Sequence, residues 1–370
     1  MQNIDHTFKS GTMSKVKELN FDGQTIYCGL DVHKKNWRVN VRSSEFELED
    51  YSQDPSGALL LDHLKRRYPG ARYEVAYEAG FCGFGIQRTL EKAGVRCIVV
   101  NPADVKSSHK EKMRKNDKID ARKISRELSK GELEPLYIPV VEMEHVRSLV
   151  RQRGRLVTDQ TRCKNRIWQL LMFSGLKLEA EVDKPKQYWS RRFIESLKKM
   201  PCDTAWLRQA LDLAIEEYLL IRKLLSVATK QIRSLSTQPS FVVIQKLLQS
   251  IPGIGIVNAM VIMSELQDIH RFKSLDSLCC YAGIVPDTAS TGENEKIRGI
   301  THRSNHYLRP AIVESSWVII RKDPAMLMLY KKYCAAMKEN KAIIKIAKHL
   351  LSRIRHVWSR QQEYEIGIVG

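Results

Sequence analysis

From Thr25 to Val41 the chain reads TIYCGLDVHKKNWRVNV, with β-branched and aromatic residues alternating with polar ones on either side of a short basic turn. A period of two sends successive side chains to opposite faces, so this segment predicts two strands, and Phe46 to Tyr51 predicts a third. After Pro55 the period lengthens. Leu59, Leu60, Leu61 and Leu64 recur at helical spacing, and Pro69-Gly70 ends that helix. Tyr73 to Tyr77 reads as another strand, Gly80 to Gly85 as a glycine-rich joint, Ile86 to Lys92 as a helix closed by Gly94, and Val95 to Val100 as an apolar strand. The order is β-hairpin, helix, strand, helix, strand, which predicts an α/β layer with helices packed on a mixed sheet.

Beyond Pro102 the pattern turns helical and basic as far as Lys130. From Glu142 to Gln249 it is long, helical and poor in glycine, with periodic segments at His145–Phe173 and Thr204–Leu235 joined by a polar stretch containing Pro185 and Pro201. This predicts a long antiparallel helical hairpin or stalk. A mainly α third region starts at Ile251-Pro252-Gly253-Ile254-Gly255. The polar, patternless residues 1–23 predict a flexible tail.

Composition narrows the function classes. The 370 residues carry 61 Lys+Arg and 42 Asp+Glu, a net charge of +19, and such an excess predicts a polyanionic partner, nucleic acid or an anionic membrane surface. No apolar run reaches the roughly 18 residues of a membrane span. The eight cysteines are scattered without a C-x-x-C pair, so reduced thiols in a cytoplasmic, nucleoid-associated protein are expected.

Four acids stand out. Asp31 interrupts the apolar strand Ile26 to Val32, and Glu78 closes the strand that begins at Tyr73. A carboxylate in such a place is costly unless it is paired. Asp117 and Asp120, in Lys115-Asn116-Asp117-Lys118-Ile119-Asp120-Ala121, are three apart and share one helix face. Oxygen donors of this kind suit hard divalent ions, Mg²⁺ or Mn²⁺, and a pair of such ions serves phosphodiester chemistry. The element ends that carry the acids are compatible with a ribonuclease-H-like layer.

Other segments point to nucleic acid. Leu247 to Ala259 reads as a helix-hairpin-helix, whose Gly253 and Gly255 would turn backbone N–H groups towards a phosphate. Ser290-Thr291-Gly292 lies in a polar loop spanning Asp287 to Ile300, with Arg298, His302, Arg303, His306 and Arg309 close by, so a hydroxyl there has cations at hand to stabilise phosphate attack. Arg298 to Arg360 holds 14 Lys/Arg against 3 Asp/Glu. The early stalk, with Arg147, Arg151, Arg153, Arg155, Arg162, Lys164 and Arg166, is similarly suited to RNA or DNA.

Taken together, GLDVHKKNW, YEAGFCGFG, VVNPADVK, KNDKIDA, LLQSIPGIG, RFKSLDSLCCYAGIVP, ASTG and HRSNHYLRPAIVESSW resemble the insertion-sequence transposases that join an N-terminal Asp-Glu-Asp-Asp domain, like that of Holliday-junction resolvases, to a C-terminal serine domain, the bridge-RNA-guided recombinases. The resemblance implies a ribonuclease-H-like catalytic domain over residues 24–140, a coiled-coil stalk for dimerisation over 141–248 and a transposase domain over 249–370. It places the metal-holding acids at Asp31, Glu78, Asp117 and Asp120 and the nucleophile at Ser290, with Thr291 as the alternative. It further implies Mg²⁺ (or Mn²⁺), donor and target double-stranded DNA, a structured guide RNA, and a homo-oligomer, dimer or tetramer. Asn116, Ser304 and Glu293-Asn294 depart from the residues usual in that family. Two rival readings are a metal-dependent junction endonuclease that hydrolyses DNA without a serine, and a non-enzymatic nucleic-acid-binding protein.

Overall fold

A computed structural model describes residues 20–105, 117–178, 183–291 and 294–366; the side chains at 117–119 and 288–298 lie outside that description. Contacts divide the chain into two compact units, parted between Ile138 and Pro139.

In the first unit, β1 (Thr25–Val32), β2 (Trp37–Arg42), β3 (Glu47–Gln53), β4 (Arg72–Glu78) and β5 (Arg96–Val100) form one sheet in the order β3-β2-β1-β4-β5. β1 is antiparallel to β2 and parallel to β4, which is parallel to β5, a ribonuclease-H-like order. Alternation along β1 sends Ile26, Cys28 and Leu30 to one face, where they are fully buried with Leu60 and Leu64 of α1 (Gly57–Arg67) and Leu90 of α2 (Gly85–Lys92). Ser56 caps α1 by accepting from the Leu59 N–H.

The opposite face carries α3 (Asp117–Ser129), whose Ile124 and Leu128 pack with Ala76 and Tyr27. Gly29 makes that packing possible. A Cβ there would run into the Ala121 carbonyl oxygen and lie 2.5 Å from the Ser125 amide nitrogen. The Ser125 hydroxyl then reaches the side-chain carbonyl of fully buried Asn40 on β2. Ahead of Gln24, Phe21 packs edge-on against Tyr68, 5.2 Å between ring centroids.

The second unit is largely helical. α4 (Val141–Phe173) and α6 (Ala205–Ser236) pack antiparallel, as the pairings Arg153 with Thr229, Cys163 with Ala214 and Arg166 with Glu217 show. At one end α5 (Arg191–Lys199) closes a core of Ile167, Leu171, Phe193, Leu197 and Leu211, ringed by Trp168, Tyr188, Trp189 and Tyr218. At the other end Val146, Val150 and Ile232 join the core of α7 (Pro239–Ser250), α8 (Ile256–Leu266), α9 (Leu275–Ala282), α10 (Leu308–Ile319), α11 (Pro324–Cys334) and α12 (Glu339–Arg360). The long pair and the C-terminal helices thus share one core.

Between α9 and α10, β6 (Pro286–Thr291) pairs antiparallel with β7 (Asn294–Ile300). The polar loop expected over Asp287 to Ile300 is therefore a hairpin. Its β-branched Thr288, Thr291, Ile297 and Ile300 favour a pleated backbone over a loop. Among the described residues no helix is long and apolar enough to cross a membrane, and all eight cysteines are free thiols.

Candidate catalytic site and nucleic-acid surface

Strand register decides where the acids fall. β1 and β4 run side by side with Leu30 opposite Tyr77, so the next residue on each, Asp31 and Glu78, sits at the neighbouring C-terminal ends of two parallel strands. Asp31 shares the face of Gly29 and Glu78 that of Ala76, the face covered by α3. Contacts step backwards along that helix as β1 advances: Tyr27 packs in the cluster of Ile124 and Leu128, while Gly29, two residues on, lies under Ala121 and Ser125. The helix therefore runs antiparallel to β1, and its first turn, with Asp117 and Asp120, lies towards the strand ends that carry Asp31 and Glu78. The His33 imidazole meets Asp31, Nε2 to Oδ2 3.1 Å, a neighbour that sequence reading did not single out. Among the described residues no three His, Cys, Asp or Glu side chains are close enough to close around a metal ion, and the Asp117 side chain lies outside the described set. Carboxylate oxygens of the kind that Asp31, Glu78 and Asp120 carry are the donors that a hard divalent ion takes.

Ser290 and Thr291 lie near the tip of the β6–β7 hairpin, opposite Glu295 and Asn294. Their side chains, like that of Arg298, are outside the described residues. The segment that leads from this hairpin into α10 is firmly anchored. Asn305 donates to the Glu265 carboxylate at 2.8 Å, and its own side-chain oxygen accepts from the Tyr307 and Leu308 N–H groups, which starts α10.

Several cations expected at a nucleic-acid surface are engaged inside the fold. Arg151 grips the fully buried Glu265 with two bonds of 2.7 and 2.8 Å and stacks over Tyr307. That pairing raises its pKa above the ordinary guanidinium value. Arg309 donates to the Thr301 carbonyl and packs where a Cβ on Gly283 would sit, and burial pushes its pKa down. Gly253 takes φ +97°, and a Cβ there would lie 2.6 Å from the Ser315 carbonyl oxygen, so it serves the seating of the α7–α8 turn on α10. By contrast Gly255, Arg155 and Arg303 are exposed. Glu265 was missed in the sequence, although an acid closing the apolar helix IVNAMVIMSEL is the kind of signal that singled out Asp31.

The strand order defines the class, a ribonuclease-H-like domain. Comparison with known families agrees, since a profile described as a transposase of the DEDD class of IS110 elements matches residues 28–174, and one described as "Transposase IS116/IS110/IS902 family" matches residues 245–331. The chain is 28% identical over 367 residues to the putative transposase y4rJ of Sinorhizobium fredii, covering 90% of this chain and 91% of that one. It is 27% identical over 306 residues to the putative transposase y4qE of the same organism, covering 80% and 72%. To the transposase for insertion sequence element IS1111A of Coxiella burnetii it is 25% identical over 289 residues, 76% of each chain. The protein belongs to the IS110/IS1111 family of insertion-sequence transposases.

Proposed function

We propose that this transposase cuts DNA at the acid-bearing end of its five-stranded sheet, with Asp31, Glu78, Asp117 and Asp120 holding Mg²⁺ or Mn²⁺. The observation that supports this reading is the direction of three elements: Asp31 and Glu78 sit at the C-terminal ends of adjacent parallel strands, and the helix that covers them starts, with Asp117 and Asp120, towards those ends. A bound divalent ion would supply charge stabilisation at the scissile phosphate. The chain's own part is to fix the carboxylates on rigid elements and, through His33, to hold Asp31. The test is strand cleavage of element-end and junction DNA. Asp31→Asn, Glu78→Gln and Asp120→Asn should each lower cleavage by two or more orders of magnitude while DNA binding persists; cleavage at the wild-type rate in any of them refutes the reading.

Hydrolysis by water, as in a junction endonuclease, needs nothing beyond these acids, which makes it the simpler account of the chemistry. A second reading adds Ser290, or Thr291, as a nucleophile that holds the cut strand covalently while a structured guide RNA selects donor and target DNA. Its support is the position of both residues near a hairpin tip, inside the segment matched by the second family profile. Ser290→Ala and Thr291→Ala separate the accounts: loss of a trapped protein–DNA adduct in one of them marks the nucleophile, and undiminished cleavage in both marks water. RNA co-purifying with the protein and recovered by sequencing would support the guide.

A homo-oligomer is part of the same proposal. On α6, exposed Trp206, Leu213, Leu220, Leu224 and Val227 fall at intervals of seven, seven, four and three residues, on a face distinct from the one that packs on α4. That spacing is the seam of a helix pair, and a second copy of the chain fits it.

A further inference from the structure

In the second unit a cleft of about 560 Å³ opens between α4, the start of α8 and the start of α10, lined by Arg153, Arg155, Arg162, Asn258, His306 and Tyr307. Resting on the reading of the protein as a DNA-acting enzyme, we infer that this cleft seats a nucleic-acid strand through its phosphodiester backbone, with one phosphate against Arg153.

Arg153 is built for such a contact. Its Nε donates to the Thr229 hydroxyl at 3.0 Å, and that hydroxyl donates on to the Leu225 carbonyl at 2.7 Å, so the guanidinium is aimed and braced. Burial pulls its pKa down, with Arg233 pushing the same way, and the Glu314 carboxylate at the cleft edge offsets this only in part. No carboxylate among the described residues lies within ion-pair distance of it. A half-desolvated cation in this position gains a partner when a phosphate arrives.

The rest of the lining suits a strand better than a small ion. Arg155 is exposed, and Arg162 is held only by an exposed pair with Asp159 at 3.3 Å. Seven residues apart on α4, the two stand about 10 Å from one another along the helix axis. Gly154 lets the Tyr307 ring approach to 3.3 Å of where a Cβ would lie, which gives the cleft an aromatic floor between the arginines. A second opening of about 420 Å³ shares Val257 and Asn258 with the first and adds Arg233 and Gly255. The cations therefore follow an extended track, which matches a polymer of phosphates rather than a single anion.

The test uses the full-length protein and fluorescence anisotropy with a labelled single-stranded DNA, an RNA of the same sequence and a duplex DNA, at salt concentrations from 50 to 200 mM. Combining Arg153→Gln, Arg155→Gln and Arg162→Gln should flatten the dependence of log affinity on log salt by about 0.7 per lost contact on a single strand, or about 0.9 on a duplex. Glu314→Gln should tighten binding, a gain that a misfolded variant cannot mimic, and thermal melts confirm folding throughout. Whichever probe loses its slope identifies the strand as RNA or DNA. Unchanged slopes on all three probes, with Glu314→Gln neutral or weaker, overturn the cleft assignment; so does capture of poly-glutamate in place of nucleic acid. Wild-type protein that binds none of the three probes would overturn the underlying functional reading as well, whereas an inert Asp31→Asn result bears on the chemistry and leaves the slopes to decide the cleft.

Discussion

Replacing Gly29 by alanine should separate the cutting end of the sheet from the helix that completes it. The new methyl carbon would stand against the Ala121 carbonyl oxygen and 2.5 Å from the Ser125 nitrogen, where ordinary contact begins near 3.4 Å. Both obstacles are backbone, so no side chain can rotate aside, and α3 must lift by about 1 Å. Overpacking of this kind costs about 1–3 kcal/mol. In a unit of this size each kcal/mol lowers the melting temperature by about 4 °C. Because α3 carries Asp117 and Asp120, the same displacement should reduce metal-dependent strand cleavage by about 10²-fold, the usual consequence of moving a catalytic group by 1 Å. The assay is a thermal melt together with cleavage of element-end DNA, with Gly85→Ala as the control, since nothing lies within 4 Å of a Cβ at Gly85. A Gly29→Ala protein that melts within a degree of wild type and cleaves within twofold of it would refute the link between this contact and the acids.

Three further outcomes are expected. Glu265→Ala strips the bidentate partner from Arg151 and the acceptor from Asn305, and should cost about 3–5 kcal/mol, read from the urea midpoint of the second unit. Glu49 resists the upward pull of burial because His63 and Arg67 both bond it, which leaves its pKa below the ordinary 4.5. Its stabilising effect is present above that value and fades as pH falls through the lowered one, so wild type and Glu49→Gln should converge in stability as the pH is taken progressively below 4.5. A gap between them that widens on acidification contradicts the assignment. Leu213→Glu with Leu220→Glu should abolish the proposed self-association through α6 without lowering the melting temperature, as measured by light scattering across a dilution series of the variant and the wild type.

The sheet was legible in the sequence because each strand is a local apolar pattern, and glycine or proline marks the joints between strands and helices, although the two hairpin turns, His33–Asn36 and Ser43–Phe46, carry neither. Asp31 and Glu78 stood out for a related reason, since a charge in or closing an apolar strand contrasts with its neighbours, whereas Asp117 and Asp120 stood out by their helical spacing. Contacts between distant segments were not. Nothing near Gly29 announces that Ala121 will rest on it, and nothing near Arg151 announces that Glu265, 114 residues later, will hold it inside the fold. Arg151, Arg155 and Arg162 look alike along the chain, yet the first is engaged internally and the other two face a cleft. The β6–β7 hairpin escaped notice because its residues are mostly polar, and only their β-branching betrays a strand.

The division of the acids between β1, β4 and α3 also has a bearing on biosynthesis. By the time Glu78 has left the ribosome two carboxylates are in hand, but the other two arrive some forty residues later, on a helix that must fold back across strands already made. On the proposed reading, a truncated translation product ending before that helix would lack Asp117 and Asp120 and should leave DNA uncut.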